Sequence, residues 1–349
     1  MAKKKIRIGV AGLGRIGWNF HCKTLAPHPD FDLVAVQDLD ADRRREAETS
    51  YGVTSYERFD AMLRDAALDA VAIATPTHLH RAMAEEALDR GCHVMLEKPM
   101  AAQLEDAEAI VRAAEARGRA LTVYQPHRAA AYFQHLCRLI ATGKIGPVYH
   151  VRRALFNYVR RDDWQSLLQY GGGMLNNYGA HLIDQLLQLI GYDVRRVFCN
   201  MRLVASLGDA EDVVKVLIET EKGVLGEADI NQASAINPYE LEVWGSRGSI
   251  SLEKGVFHLR YVRAEDLPHK ELNAELASAN RAYPSDNLPF QEETVPVDPA
   301  FQVDVYADFA AAIREGKPPL ARPQETLAVM RVMDRCRQDC GRIIQTGIA

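Results

Sequence analysis

The chain has 349 residues, 48% hydrophobic and 26% charged, with a formal net charge of −5. That balance is ordinary for a globular protein of about two domains, and it offers no basic footprint for nucleic acid or an anionic membrane surface. No apolar run approaches the about 20 residues of a membrane-spanning helix, and no secretory core follows the basic start MAKKK, so a cytoplasmic protein with reduced thiols is expected.

From Ile6 onward a strand, a Gly-rich turn and a helix from about Arg15 to Leu25 begin a series that repeats. FDLVAVQD, a helix about 41–51, LDAVAIAT, a helix about 78–90, HVMLEK, a helix about 103–117 and ALTVYQ follow in order. Short Val-, Ala- and Ile-rich strands alternating with helices specify βαβ units around a buried parallel sheet. The expectation for residues 1–124 is therefore an α/β domain with a doubly wound parallel sheet.

The first turn reads GLGRIG, which places Gly12, Gly14 and Gly17 in the spacing G-x-G-x-x-G between strand and helix. Gly12 allows the tight turn, Gly14 lets backbone approach a pyrophosphate, and Gly17 lets the helix pack on the strand. The N–H groups near Arg15 and Ile16 then face the anion. Asp38 ends the second strand about 20 residues on, where an acid bonds the adenosine ribose hydroxyls. A carboxylate there repels a 2′-phosphate, so NAD is favoured over NADP. Arg43, Arg44 and Arg45 follow within reach of a phosphate and leave NADP open, their commoner role being a solvated helix face.

Residues 125–349 change texture. After a helix at about 132–142 come YHVRRALFNYV, RRVFCNMRLV, VVKVLIET, VLGEADINQ, YELEVWG and SISLE, several at strand-turn-strand spacing. They predict an α+β domain with a large, mostly antiparallel open sheet. GGGMLNNYGAHLID at 171–184 inserts a helix into this series, with Asn177, His181, Asp184 and Gln188 in one stripe. Asp184 is its only formally charged residue between Gly171 and Tyr192, which points to a pocket wall more than to a solvated face. The segment 262–300, with Pro268, Pro284, Pro289, Pro296 and Pro299, reads as a long loop with some helix at its start. Helices at about 302–315 and 323–341 close the chain, and packing of these last helices back on the first domain is left open by the sequence. Cys336 and Cys340 stand one turn apart on the last of them, with no partnering His or Cys cluster, so no metal site is expected.

Taken in order, GLGRIG at 12–17, ATPTHLH at 74–80, EKP at 97–99, YQPHR at 124–128, IGPV at 145–148 and GGGMLNNYGAHLID at 171–184 resemble the glucose–fructose oxidoreductase/inositol dehydrogenase (Gfo/Idh/MocA) family over essentially the whole length. The resemblance implies that Lys98 sits between nicotinamide and substrate and that His181 is the proton acceptor and donor. It places Thr75 and Pro76 along the cofactor with His80, Glu97 and Gln125 close by, and Arg128 and Trp164 toward the substrate. The chemistry agrees: oxidising a carbinol needs a base for the hydroxyl proton, and imidazole titrates near working pH. A Lys ammonium beside the same oxygen stabilises alkoxide character.

The sequence departs from the family pattern at Asn177, where an Asp is usual. Asn keeps hydrogen bonding and brings no charge. The reading is an NAD-dependent oxidoreductase interconverting a secondary alcohol and a ketone on a sugar, sugar derivative or cyclitol, assembled as a homo-oligomer, dimer or tetramer, through the C-terminal sheet. Trp164 offers an apolar platform for a sugar ring. Arg152, Arg153, Arg160 and Arg161 either favour an acidic substrate or are solvated. Two rivals are an NAD-dependent lyase or glycosidase that recycles its cofactor, and a non-catalytic dinucleotide sensor; retention of both Lys98 and His181 argues against the second.

Overall fold

The computed structural model describes residues 4–274 and 286–346. Lys3 of the basic start and Pro284 lie outside these described residues. The apolar runs of the first third pair side by side as six parallel strands: β1 (Ile6–Ala11), β2 (Phe31–Gln37), β3 (Thr54–Tyr56), β4 (Ala70–Ile73), β5 (His93–Glu97) and β6 (Leu121–Tyr124). Their spatial order is β3-β2-β1-β4-β5-β6. The order reverses between β1 and β4, and in such sheets ligands bind in the crevice beyond the carboxyl ends at that switch point.

Both faces of this sheet are covered, which explains why its strands are near-continuous apolar runs instead of alternating ones. Helices His80–Asp89 and Leu104–Arg117 bury Leu88, Ile110 and Val111 against one face. On the other, Leu25 packs with Tyr306 and Phe309, which come from the late helix Val305–Glu315. β3 and the helix Phe59–Asp65 are too short and too polar for periodicity to announce, and they fill what the sequence left as connection.

The second sheet has nine strands: β7 (Val148–Phe156), β8 (Val194–Leu203), β9 (Val213–Thr220), β10 (Leu225–Asn231), β11 (Leu241–Gly245), β12 (Gly248–Glu253), β13 (Val256–Tyr261), β14 (Gln291–Pro296) and β15 (Ile344–Gln345). Their order is β14-β13-β12-β11-β7-β10-β9-β8-β15. β7 with β10 and β8 with β15 are parallel; the other pairs are antiparallel. Alternating burial along β9 and β10 turns one face onto the helix Ala180–Ile190. Among the described residues, no helix is long and apolar enough to cross a membrane.

Three expectations need correction. Part of the 262–300 loop is β14, an edge strand on β13. QEETVP carries almost no apolar side chain, so hydrophobic periodicity could not reveal it, and its helical start is one 3₁₀ turn, Ala264–Asp266. The helix expected from Arg15 is wound mostly as a π-helix over Gly17–Cys22. A second π-helix, Leu175–Gly179, begins the His181 helix, so the regular i, i+4 ladder does not run unbroken from Asn177 to His181.

Candidate active site

A cleft of ≈1340 Å³ opens at the carboxyl ends of β1, β4 and β5. Gly12, Gly14, Arg15, Ile16, Asp38, Thr75, Pro76, Glu97 and Lys98 line it on one side, and Arg161, Trp164 and Gln165 on the other. A Cβ on Gly12, whose φ is +87°, would lie 2.7 Å from the Ala74 carbonyl oxygen, and one on Gly17 would lie 1.8 Å from the Gly12 oxygen. Those two glycines are demanded by packing. Gly14 differs: a Cβ there would meet nothing within 4 Å, so it leaves bare backbone beside open space. That combination of tight turn, open backbone and following helix fits a dinucleotide pyrophosphate.

Asp38 is 8% exposed. Its Oδ2 accepts from the Leu13 N–H at 2.7 Å and its Oδ1 from the Asp40 N–H at 2.9 Å, which fixes the carboxylate at the cleft rim. The three arginines after it separate. Arg44 donates to the Asp38 and Leu39 carbonyls and Arg45 to Asp42, whereas Arg43 lines the cleft with Nη1 3.6 Å from Asp38 Oδ2.

At the inner end, Lys98 Nζ donates to the Asn177 carbonyl oxygen at 2.8 Å and to its Oδ1 at 3.2 Å. Asn177 Nδ2 in turn donates to Gln165 Oε1 at 3.4 Å. Burial lowers the Lys98 pKa from the ordinary lysine value, with Arg15 reinforcing and Glu97 opposing. The three glycines that lead into this helix serve its docking. Gly173 has φ +102°, and a Cβ there would lie 2.4 Å from Glu211 Oε1, which accepts the Leu175 N–H at 2.9 Å. A Cβ on Gly172 would lie 2.5 Å from the carbonyl oxygen of Gln165, so the turn bearing Trp164 can close on the helix start.

His181 is 5% exposed and stands behind the cleft lining. Its Nδ1 is 2.9 Å from Gln125 Oε1. Gln125 Nε2 donates to the Ala180 carbonyl at 3.5 Å, so the amide oxygen faces the ring, Nδ1 carries the proton and Nε2 keeps the lone pair. Burial first, then the Lys98 charge and, when it is protonated, His127, push its pKa well below the ordinary histidine value. The imidazole is therefore neutral at pH 7 and able to accept a proton.

Other expected residues take different places. Arg128 is 1% exposed; its Nε donates to Asp184 Oδ2 at 2.9 Å, its Nη2 to Asp184 Oδ1, and its Nη1 to Glu325 and, at 2.7 Å, to the Leu320 carbonyl. Its donors are spent inside the protein, which does not support a substrate contact. The polar stripe is thus divided: Asn177 bonds Lys98 and Gln165, His181 bonds Gln125, and Asp184 and Gln188 join the Arg128–Glu325 cluster. His80 is also buried, its ring bonded to carbonyls of Thr75, Pro99 and Met100, so it ties the Thr75–Pro76 turn to the segment after Lys98 without lining the cleft. Glu97 touches the cleft, but its Oε1 is 3.0 Å from His21 Nε2 and its Oε2 accepts the Lys98 N–H at 3.2 Å. Arg152 and Arg153 are held by Glu227 and Glu242 and by Gln185 respectively, and Arg160 donates to the Ala205 carbonyl; of these four arginines only Arg161 lines the cleft.

Sequence reasoning missed three neighbours. His21 bonds Glu97 and, through Nδ1 at 3.1 Å, Tyr306, a residue far away in the chain. Gln165 joins Arg161 to Asn177. His127 stacks on His181 with ring centroids 4.2 Å apart. A lone His in an apolar helix reads as core, and nothing in spacing links 21 to 306. His127 was visible as part of YQPHR but carried no signal of its own.

The description "Oxidoreductase family, NAD-binding Rossmann fold" matches residues 6–125, and "GFO/IDH/MocA C-terminal domain" matches residues 133–251. The chain belongs to the Gfo/Idh/MocA oxidoreductase family. It is similar to myo-inositol 2-dehydrogenase of Thermotoga maritima, 29% identical over 255 residues, covering 70% of this chain and 74% of that one. Its fold is also that of an NAD-binding protein from Listeria innocua, at a TM-score of 0.82, 24% identity and coverage of 97% and 98%. The WlbA dehydrogenase from Bordetella pertussis, solved in complex with NADH and UDP-GlcNAcA, matches at a TM-score of 0.78, 23% identity and 97% coverage of each chain. This Gfo/Idh/MocA protein is thus an oxidoreductase whose dinucleotide is NAD. The Asp38 carboxylate, pinned at the rim, is expected to make NAD⁺ bind at least about tenfold more tightly than NADP⁺, a difference of about 1.4 kcal/mol. Asp38→Ser should narrow the gap, and equal affinities by calorimetry in the unaltered protein would remove the Asp38 explanation.

Proposed function

We propose that this protein interconverts a secondary alcohol and a ketone on a sugar, sugar derivative or cyclitol. The observation that carries the reading is a neutral imidazole, with Nδ1 tethered and Nε2 free to accept, electrostatically coupled to the Lys98 ammonium at the inner end of the cleft. Bound in the cleft, NAD supplies the hydride acceptor. His181 Nε2 takes the hydroxyl proton, and Lys98 Nζ donates a hydrogen bond to the same oxygen, stabilising its growing negative charge. In the ketone-reducing direction the proton returns from His181. Trp164, 49% exposed at the cleft, offers its face to a sugar ring. The similarity to a myo-inositol 2-dehydrogenase supports a polyhydroxylated substrate.

The cytoplasm as location, a domain boundary near residue 124 and a homo-oligomer built through the second sheet belong to the same proposal. Tyr149, Phe198 and Leu217, exposed on strands of that sheet, support the last.

The test of substrate class is a panel of sugars, sugar acids and cyclitols with NAD⁺, followed by NADH fluorescence. At least one polyol should give net NADH. Product formed without NADH would favour a lyase or glycosidase that recycles its cofactor, and NAD binding with no turnover on any member would favour a sensor.

Asn177 supplies a pH prediction. Lys98 is one of the charges holding the His181 pKa low, and Asn177 Oδ1 lies 3.2 Å from its Nζ. A carboxylate at 177 would offset that charge and favour imidazolium, so the His181 pKa rises. His181 must start neutral for oxidation, which makes it the acidic limb of kcat/KM. Asn177→Asp is expected to move that limb to higher pH by on the order of one unit. A limb that stays put or moves lower in pH–rate profiles would separate Asn177 from the Lys98–His181 pair.

A further inference from the structure

We propose that His127 is a positioning residue whose ring face holds the His181 imidazole in the orientation and tautomer needed for proton transfer; this rests on the reading of His181 as the base. The two rings stack with centroids 4.2 Å apart and an interplanar angle of 25°. Tyr178 meets the pair edge-on, 6.5 Å from each centroid.

The stack is built from both chains of support. Gln125 and His127 come from one short turn after β6, so the residue that bonds His181 Nδ1 and the residue that covers its ring are delivered together. Gln185, one helical turn beyond His181, donates through Nε2 to the His127 carbonyl at 2.8 Å and accepts from Arg153 Nε at 2.9 Å. The turn is thereby clamped to the helix it serves. An imidazole held by one hydrogen bond can still swing about it; a stacked face against one side removes that freedom.

The remaining chemistry of His127 fits this role. Among the described residues neither of its ring nitrogens has a hydrogen-bond partner, so its side-chain contacts within the protein are those of the ring. Burial, Arg153 and Lys98 push its pKa down to about 4, which keeps it neutral when His181 must accept a proton. The charged and titratable groups around the pair are Lys98 from the end of β5, Arg153 from β7 and Tyr178 on the same helical segment. Asp184, further along the helix, is paired with Arg128.

The test uses the NAD-bound protein labelled with ¹⁵N-histidine, and long-range ¹H–¹⁵N spectra that report which ring nitrogen of His181 is protonated, its signals assigned by their loss in His181→Asn. His127→Leu removes the aromatic face and roughly keeps the bulk; His127→Phe keeps the face and removes the nitrogens. The expected result is an Nδ1–H tautomer in the unaltered protein and in His127→Phe, and a tautomer mixture in His127→Leu. kcat should fall by about tenfold or more in His127→Leu with KM nearly unchanged, and recover in His127→Phe, as expected for a misaligned base. An unchanged tautomer and rate in His127→Leu overturns the proposal, as does a Phe variant as impaired as the Leu variant, which would put the function in the nitrogens. If no polyol is oxidised at all, the dehydrogenase reading fails while the tautomer measurement still decides the role of His127.

Discussion

Lys98→Met is expected to lower turnover by about a hundredfold or more, the scale of losing an electrostatic or acid–base group, while leaving NAD binding nearly intact. Met matches the length of the lysine stem and removes only the ammonium. That ammonium is already desolvated and held by the Asn177 carbonyl and amide oxygens, so its position costs no reorganisation during the reaction. The proposed dinucleotide cradle, the turn after β1 together with Asp38, does not bond Lys98 Nζ. Steady-state kcat together with NAD calorimetry separates the two effects. Full turnover in the variant would mean that Lys98 is not catalytic.

The second large effect is on stability. Arg128→Met is expected to destabilise the fold by about 3–5 kcal/mol, because it leaves the Asp184 carboxylate buried without its charge partner. Arg128 and Asp184 are each 1% exposed, and the same guanidinium also holds Glu325 and the Leu320 carbonyl, joining the turn after β6 to the His181 helix and to the approach to the last helix. Removing both partners with apolar residues of similar volume is far milder. Arg128→Met with Asp184→Leu should therefore recover most of the loss in urea unfolding. A single variant as stable as the parent, or a double variant no better than the single, would show that the pair is not the source of the effect.

The parallel sheet and its dinucleotide turn were legible because their signals are local. Gly12, Gly14, Gly17 and Asp38 follow one another at spacings fixed by a single βαβ unit, and the structure gives each a separate physical task. Lys98 and His181 are 83 positions apart, and only the resemblance joined them. The polar stripe was a correct sign of burial and a mixed sign of function, since Asp184 and Gln188 share the helix face of His181 but turn to Arg128 and Glu325 respectively. Periodicity treats all four alike; which partner each one meets depends on the turn at 125–128 and on Glu325, which no local pattern records. The π-helical turn at Leu175–Gly179 was equally invisible, because hydrophobic spacing carries no signal for one wider turn, and Glu211, which crowds Gly173 just before it, comes from a distant part of the chain.

The most direct measurement is the stoichiometry of NADH to ketone for the best polyol of the panel, in the unaltered protein and in His181→Asn. One NADH per ketone is expected, with the rate in His181→Asn lower by about a hundredfold or more, as for loss of a general base. Product accumulating without NADH, or oxidation undiminished in His181→Asn, would contradict it.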